Sequence, residues 1–392
     1  MVERKRIGLS YTYNENWIGG TYYIENLINA LNTLPDQEKP HIVLITSNQR
    51  DLKTAKKKMD YPYLSFQLGS GESNRIFQFI NKVTGRLFKI RFFNQEIKKL
   101  DAVFPYYECI QQSAAKKRIY WIPDFQEHFA PGFFSREAIE ARVKDHSKIQ
   151  ISSDYLIISS NNAATHFRSL YPSYRVSVNV LPFAVTHPGY KKLEITALLQ
   201  KFRLPPLYFI CPNQFWAHKN QLIVLKAIKI LKERGVRIIA AFTGKTDDYR
   251  NPAYFKELLD YVEENDLKDH VFFLGFIDRA EQLQLMHNAI AIVQPSLFEG
   301  WSTVVEDAKA MNKFIIVSDI DIHHEQLESS RALFFNPDDE RDLAAALKQA
   351  ANSKVIPTLY EDFDYLKNIQ DFGRNFMAIA GRAGNPRDKN QI

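Results

Sequence analysis

The sequence predicts an α/β protein built from two doubly wound domains that face a central cleft. The chain is 392 residues long, and short apolar runs alternate with segments of helical periodicity through both halves. A chain of this length is too long for one ordinary hydrophobic core. Strands that alternate with helices form parallel sheets with both faces covered. Two sheets of this kind are therefore expected.

Composition narrows the class of protein. Hydrophobic residues make up 45% of the chain and charged residues 24%, as in ordinary globular proteins. Two cysteines, Cys109 and Cys211, do not make a disulfide framework, so a reducing cytoplasm is expected. The first residues show no signal-peptide core, and no segment approaches the roughly 18 apolar residues of a membrane span.

The charge balance leaves several partners open. A net charge of +6 and a pI near 9.0 suit nucleic acid, anionic lipid or a nucleotide sugar equally well. No RNA- or DNA-binding module is visible, so we expect no nucleic-acid partner.

Residues 1–187 are predicted to form the first domain. Strands are predicted at 6–11, 41–46, 101–106, 117–122, 155–160 and 176–181, with helices at 21–34, 136–149 and 161–170. Gly19 and Gly20 stand directly before the first helix, where glycines allow backbone to approach a ligand, although a tight turn is an equal explanation. The dinucleotide pattern G-x-G-x-x-G is absent, which argues against a dehydrogenase.

A basic stretch lies within this domain. Over residues 75–93, aromatic and aliphatic residues interleave with Lys82, Arg86, Lys89 and Arg91. This pattern is typical of a helix lying in a membrane interface. An ordinary amphipathic helix that packs on the sheet is the alternative.

Residues 188–355 are predicted to form the second domain, after a linker at 182–188. Strands are predicted at 207–211, 238–243, 271–274, 289–293, 314–318 and 332–335, with helices at 221–234, 254–265, 280–288 and 339–351, a further helix between 303 and 312, and a loop at 319–325. A helical pattern at 360–380 and a polar tail follow. The second domain contains two loops that lead into helices, and such helix starts can hold a phosphate.

The loop and helix between residues 294 and 312 contain the most specific motif. Pro295 and Gly300 interrupt the loop, and Ser302 or Thr303 can cap the helix. Asn312 is placed to end it in a left-handed conformation. Earlier in the domain, Lys219 stands at the start of helix 221–234, where its charge can hold a diphosphate.

These residues resemble the donor-binding motif of the retaining glycosyltransferases of family 4. The run Pro-Ser-Leu-Phe-Glu-Gly at 295–300 fits the motif without a gap, and the second acid of the motif falls on Asp307 after seven intervening residues. The resemblance implies the GT-B fold, with two Rossmann-like domains and a C-terminal segment, 356–392, that crosses back to the first domain. Adjacent helical residues differ by about 100° in direction. Only one of Glu306 and Asp307 can therefore face the ligand, and the register favours Asp307.

The resemblance implies a donor site on the second domain. In it Glu299 holds the sugar hydroxyls, Asp307 or Glu306 the ribose, and Lys219 the diphosphate. Further contacts are implied by position for Asn220, Phe276, Gly300, Ser302, Thr303, Gly19 and Gly20. The family's phosphate-binding arginine is replaced by Asn213-Gln214, and His218 or, more weakly, Lys245 can compensate.

The first domain supplies a candidate acceptor site. Where the family often has a His-Asp pair, this chain has Pro123-Asp124, with His128 four residues later. Asp124 or His128 can orient or deprotonate an acceptor hydroxyl. Alternatively, Asp124 caps a turn and His128 lies on the surface.

Together these features predict a retaining glycosyltransferase. We expect it to move a sugar from a nucleoside-diphosphate sugar to a glycan or lipid-linked acceptor in cell-surface polysaccharide synthesis. No cofactor or metal is implied, since no Asp-x-Asp stands in a suitable loop. The cytoplasmic protein would contact an anionic membrane through residues 75–93. A sugar-nucleotide epimerase of the same fold and a noncatalytic GT-B subunit are the alternatives.

Overall fold

The computed structural model describes residues 3–68, 99–107, 115–327, 332–352 and 364–382. The basic stretch at 75–93, Cys109 and the polar tail after residue 382 lie outside the described residues. Within the described ranges, no helix is both long and apolar enough to cross a bilayer.

The first domain is built on parallel strands. They are β1 (Arg6–Ser10), β2 (His41–Thr46), β3 (Leu64–Leu68), β4 (Ala102–Phe104), β5 (Ile119–Ile122), β6 (Tyr155–Ile158) and β7 (Ser177–Val180). Four pair in the order β3-β2-β1-β4 and three in the order β5-β6-β7, and a parallel bridge between Val103 and Arg118 joins the two groups. Strand β3 was not predicted. It is short, its five residues are all half-buried, and its apolar residues Leu64, Phe66 and Leu68 alternate with polar ones.

Helices cover the sheet of the first domain, and the first of them begins earlier than predicted. They are α1 (Ile18–Asn32), α2 (Gln49–Lys58), α3 (Gln126–Phe129), α4 (Arg136–Ile151) and α5 (Asn161–Leu170). Helix α1 begins before Gly19 and Gly20, so the prediction that both lie in a loop is wrong. A Cβ on Gly20 would lie 2.6 Å from the ring of Trp17, the residue before α1, so glycine at this helix position makes room for that ring.

The second domain contains a parallel sheet with one reversal of strand order. Its strands are β8 (Phe209–Cys211), β9 (Ala240–Thr243), β10 (Val271–Gly275), β11 (Ile292–Gln294), β12 (Ile315–Ser318) and β13 (Leu333–Phe335). They pair in the order β10-β9-β8-β11-β12-β13. The reversal falls between β8 and β11. In open α/β sheets this switch point, at the carboxyl ends of the strands, is where ligands bind.

Helices cover both faces of the second sheet. They are α6 (Ile195–Phe202), α7 (Gln221–Glu233), α8 (Tyr254–Glu264), α9 (Arg279–Asn288), α10 (Thr303–Ala310), α11 (Asp321–Gln326) and α12 (Glu340–Asn352). The predicted loop at 319–325 is wrong because α11 occupies most of it. Ile322 is buried there, and His323 Nδ1 lies 2.8 Å from the Ser318 carbonyl oxygen, which anchors this short helix to the end of β12.

The last described helix, α13 (Tyr365–Gly381), packs against the first domain. Ile369, Phe372 and Phe376 join that domain's hydrophobic core. A Cβ on Gly373 would lie 2.9 Å from the Ala30 carbonyl oxygen, so glycine permits the close crossing with α1. The domain boundaries at 187 and 355 themselves stay a prediction.

Candidate functional site

A cleft lies between the two domains at the switch point of the second sheet. The first domain contributes the start of α1 and the loop after β5, and the second contributes the loops after β8 and β11 together with the start of α10. Gly19, Gly20, Asp124, Lys219, Phe276, Glu299, Gly300, Ser302, Thr303 and Asp307 all line it. The structure therefore brings together most of the predicted site residues.

The centre of the cleft is a lysine–glutamate pair. Lys219 Nζ lies 2.6 Å from Glu299 Oε1, with 16% of the lysine side chain and 9% of the glutamate side chain exposed. Gln294 Nε2 donates to the same oxygen at 2.7 Å, and Asn213 Nδ2 donates to Gln294 Oε1 at 2.7 Å. Asn213, which stands where an arginine was expected, thus orients Glu299 through Gln294.

The two domains meet at Gly300. A Cβ on this residue would lie 2.4 Å from the Pro123 carbonyl oxygen and 2.7 Å from Asp124 Cβ. Only glycine therefore lets the loop after β11, which carries Glu299 and is called the donor loop, come this close to the loop after β5, which carries Asp124 and is called the acidic loop.

Asp124 is held in a fixed position beside this contact. Its Oδ1 accepts a hydrogen bond from the Gln126 N–H at 3.0 Å, which caps the turn before α3. Burial raises the pKa of its carboxyl, and the nearby negative charge of Glu299 adds to that rise. Asp124 therefore binds a proton more readily than an exposed aspartate does.

The start of α10 offers fewer free N–H groups than predicted. Ser302 caps the helix, with its Oγ accepting from the Val305 N–H at 3.4 Å. The Ser302 N–H, however, donates to Gln326 Oε1 at 2.8 Å, so the expectation that it binds a phosphate is corrected. Within the described ranges, the N–H groups of Thr303 and Val304 have no acceptor. These two groups point along the positive end of the helix dipole.

The structure separates the two adjacent acids of α10. Asp307 lines the cleft, whereas Glu306 is buried on another side of the helix, where it accepts from Lys309 Nζ and Gln326 Nε2, both at 3.0 Å. The alternative in which Glu306 faces the donor is therefore not supported by its position.

Asp307 belongs to a buried ion cluster that the sequence did not reveal. Arg279 Nη2 lies 2.6 and 2.7 Å from its two oxygens, and His187 Nε2 lies 2.9 Å from Oδ1. Burial would raise the pKa of Asp307, but Arg279 and His187 outweigh burial and hold it below its usual range. The guanidinium also lies 5.3 Å from the ring of Tyr22 in the first domain. The sequence feature that could have indicated this cluster is Arg279, an arginine at a helix start three residues after Phe276.

His218 lines the cleft as a neutral hydrogen-bond donor. Its Nδ1 lies 3.1 Å from Arg250 Nη2, and arginine can only donate, so the proton of the neutral ring is on Nε2. Burial, together with Lys219 and Arg250, lowers its pKa well below the usual range. Arg250 is itself held over the Trp216 ring at 4.4 Å and donates to Gln126 of the first domain at 3.4 Å.

Three further predicted residues lie away from the cleft. Asn220 adopts a left-handed conformation and donates to the Pro337 carbonyl oxygen at 3.0 Å. His128 lies beside Glu127, behind the loop that carries Asp124. Lys245 donates to Asn16 Oδ1 at 2.5 Å. None of the three lines the cleft.

Part of the chain is similar in sequence to known glycosyltransferases. Residues 199–367 match the family model of the glycosyl transferases group 1. The chain is 34% identical over 165 residues to the O-antigen chain mannosyltransferase RfbU of Salmonella typhimurium, which covers 42% of this chain and 43% of that protein. It is 24% identical over 216 residues to the alpha-1,3/1,6-mannosyltransferase ALG2 of Mus musculus, covering 53% and 48%. The chain thus spans under half the length of both curated relatives.

Solved structures agree in fold along nearly the whole chain. HepE of Anabaena in complex with UDP and glucose superimposes with a TM-score of 0.61 at 15% identity, covering 97% of this chain and 98% of that one. The predicted GT-B fold and the predicted likeness to group 1 glycosyltransferases are confirmed. Placement in family 4 stays a prediction.

Proposed function

We propose that this chain, whose residues 199–367 belong to the group 1 glycosyl transferases, moves a hexose from a nucleoside-diphosphate sugar to a hydroxyl of a glycan or lipid-linked acceptor. The observation that carries the proposal is the pairing of Lys219 with Glu299 at the switch point, opposite the start of α10. A cation, a carboxylate and free backbone N–H groups meet there. This set can hold a diphosphate and a sugar side by side.

The donor diphosphate would lie between Lys219 and the N–H groups of Thr303 and Val304. Charge grows on the diphosphate as its bond to the sugar breaks, and fixed dipoles in a water-poor cleft stabilise such charge strongly. His218 would add its Nε2–H, since Arg250 occupies Nδ1. This donor stands in for the arginine that the chain lacks at Asn213-Gln214, and the proposal needs no metal or cofactor at the donor.

Glu299 and Asp307 would hold the two sugars of the donor. Glu299 keeps Oε2 for a hexose hydroxyl, because Lys219 and Gln294 both contact Oε1. Asp307 would accept from the ribose hydroxyls, beside the base held against Phe276. Both carboxylates are fixed by partners before the donor arrives, which lowers the cost of ordering them.

We place the acceptor on the first-domain side of the cleft, next to Asp124. Gly300 brings the acidic loop against the donor loop, so an acceptor hydroxyl near Asp124 would approach the anomeric carbon. We propose transfer with retention of configuration, in which the leaving phosphate takes the acceptor proton and Asp124 orients the hydroxyl.

We place this reaction in cell-surface polysaccharide synthesis, because RfbU, a relative over part of the chain, is named as an O-antigen chain mannosyltransferase. Location in the cytoplasm and contact with an anionic membrane through residues 75–93 belong to the same proposal. Binding of the full chain to anionic vesicles, compared with neutral ones, tests the membrane contact.

A ligand screen by thermal shift tests the donor site. UDP, GDP, ADP, CMP and their common sugars are compared on the wild type, Glu299→Ala and, as a control at an exposed acid, Glu264→Ala. We expect one nucleoside diphosphate to stabilise all three proteins, with the additional stabilisation by its sugar lost only in Glu299→Ala. A folded wild type that responds to no nucleotide would overturn the proposal. Product analysis with the responding donor then separates transfer from epimerisation.

A further inference from the structure

A second cluster of reactive side chains lies behind the acidic loop, outside the lining of the cleft. It comprises Glu127 and His128 on α3 and His146 on α4. Glu127 Oε1 lies 3.4 Å from His146 Nδ1 and 3.8 Å from His128 Nε2. All three atoms lie within 4.8 Å of one another. They therefore surround one small space.

None of these three atoms has a hydrogen-bond partner among the described residues. The Glu127 side chain is 0% exposed, and the His146 and His128 side chains are 10% and 23% exposed. A buried polar atom without a partner is costly, and a buried carboxylate is costlier still. Arg142 offsets this only in part, because its Nη1 lies 3.5 Å from the other oxygen, Oε2.

We propose that Glu127, His128 and His146 bind one divalent transition-metal cation of the Zn²⁺ type, through Oε1, Nε2 and Nδ1. Two imidazole nitrogens and one carboxylate oxygen are a donor set that such cations prefer, with bonds of about 2.0–2.2 Å. The cation would give each of the three orphaned atoms a partner and offset the buried charge of Glu127. Small side-chain rotations bring the atoms to bonding distance.

The cation would hold the acidic loop in place. Helix α3 begins two residues after Asp124, and the cation would tie it to the much longer α4. The ring of Phe125 packs edge-on against His146 with 5.3 Å between centroids, which already restrains that ligand. The role is structural, and the proposal does not depend on glycosyl transfer. The sequence implied no metal because no Asp-x-Asp motif stands in a suitable loop, and the proposed cation departs from that expectation at a cluster outside the lining of the cleft.

Cobalt binding tests the site without any assay of activity. The full chain is stripped with a chelator, dialysed and titrated with Co²⁺, whose visible absorption reports coordination by nitrogen and oxygen ligands. We expect one Co²⁺ per chain, displaced by Zn²⁺, and a melting temperature that rises with either metal. Glu127→Gln and His146→Ala are expected to weaken binding by about 100-fold, since even residues that only support a ligand cost 10- to 100-fold.

His324→Ala is the matched control. His324 also pairs with a carboxylate, at 2.5 Å from Asp319 Oδ1, but this pair is exposed, and no third ligand lies beside it among the residues that the structure describes. If His146→Ala does not fold, His128→Ala, at the most exposed of the three positions, replaces it. The proposal would be overturned if the wild type bound no stoichiometric Co²⁺. It would also be overturned if His324→Ala weakened Co²⁺ binding as much as His146→Ala does. The three atoms would then form a carboxylate–imidazole hydrogen-bond network instead.

Discussion

Lys219 Nζ lies 2.6 Å from Glu299 Oε1, although the two residues are 80 positions apart in the chain. Lys219 follows β8 and Glu299 follows β11, and these strands are neighbours at the point where the strand order reverses. The carboxyl ends of adjacent parallel strands lie at one edge of the sheet, so the topology itself creates the pair. A negatively charged donor would compete with Glu299 for the ammonium group.

Replacing Lys219 tests its part in stabilising the leaving diphosphate. Lys219→Ala is expected to lower kcat/KM by about 10²- to 10³-fold, the usual effect of losing one preorganised donor to a developing charge. Steady-state kinetics with the donor found in the ligand screen measure this. Lys245→Ala, which removes a lysine bound to Asn16 at the domain edge, should leave the rate within twofold. Equal losses in both variants would show that only the general positive field matters.

Isosteric replacements decide which acid of α10 binds the ribose. Asp307→Asn should weaken nucleotide binding by about tenfold, because a hydrogen bond to a charged group contributes about 1.5–3 kcal/mol. Glu306→Gln should not change it, since Glu306 faces Gln326 and Lys309. Isothermal titration with the nucleoside diphosphate gives both values. A loss confined to Glu306→Gln would reverse the assignment.

Asp124→Asn probes the raised pKa of the half-buried Asp124 carboxyl. A carboxyl group whose pKa is higher in the folded state than in the unfolded state stabilises the fold while it is protonated. Its contribution to the free energy of unfolding is complete below the unfolded-state pKa, near 3.8 for aspartate, and is lost as pH rises through the folded-state pKa. At pH 7 the variant should therefore be more stable than the wild type, because asparagine keeps the hydrogen bond to the Gln126 N–H without a partly desolvated charge. The difference should shrink as pH falls towards 3.8.

Urea unfolding across this pH range measures the effect. The exposed change Asp260→Asn serves as control and should show no comparable gain at pH 7. A wild type more stable than Asp124→Asn at neutral pH would contradict the predicted direction.

Gly300→Ala tests the contact between the two loops. A methyl group there would collide with the Pro123 carbonyl oxygen, so the loops must separate. We expect kcat/KM to fall by about 10²-fold, because a misplacement of about 1 Å can cost that much. Thermal melting should confirm that the variant is folded. Gly132→Ala, where a Cβ meets nothing within 4 Å, is the control and should keep wild-type rates.

A double-mutant cycle tests whether Arg250 acts through His218. Each single change, Arg250→Ala and His218→Ala, should weaken diphosphate binding by about tenfold, and the double change should cost little more than either. Residues that act through one hydrogen bond show such non-additivity. The exposed change Arg234→Ala should have no effect. Additive losses would mean that Arg250 contacts the ligand by itself.

Local features of the site could be predicted because they depend on neighbours within one turn of the chain. Ser302 caps α10 through the Val305 N–H, three residues away, and Asn312 ends the helix with φ at 51°. The alternation of strands and helices likewise follows from the period of apolar residues. The family motif around Glu299 added the likeness to group 1 glycosyltransferases and the GT-B fold.

Partners from distant parts of the chain could not be predicted in this way. The Ser302 N–H is taken by Gln326, 24 residues on, and Asp307 is bound by His187, 120 residues earlier. Nothing near Asn213 in sequence indicates that it orients Glu299 through Gln294, and the local pattern around His128 does not place His146 beside it.

One physical cause separates the features that the sequence predicts from those that it does not. Helix caps, turns and the faces of single elements depend on short-range sterics and hydrogen bonds, which the sequence by itself determines. Other properties of the site depend on where the strand order and the domain contact bring distant segments together. These are whether the Ser302 N–H already has an acceptor, which acid of α10 faces the cleft, and which side chains pair with that acid. Only the tertiary structure decided those.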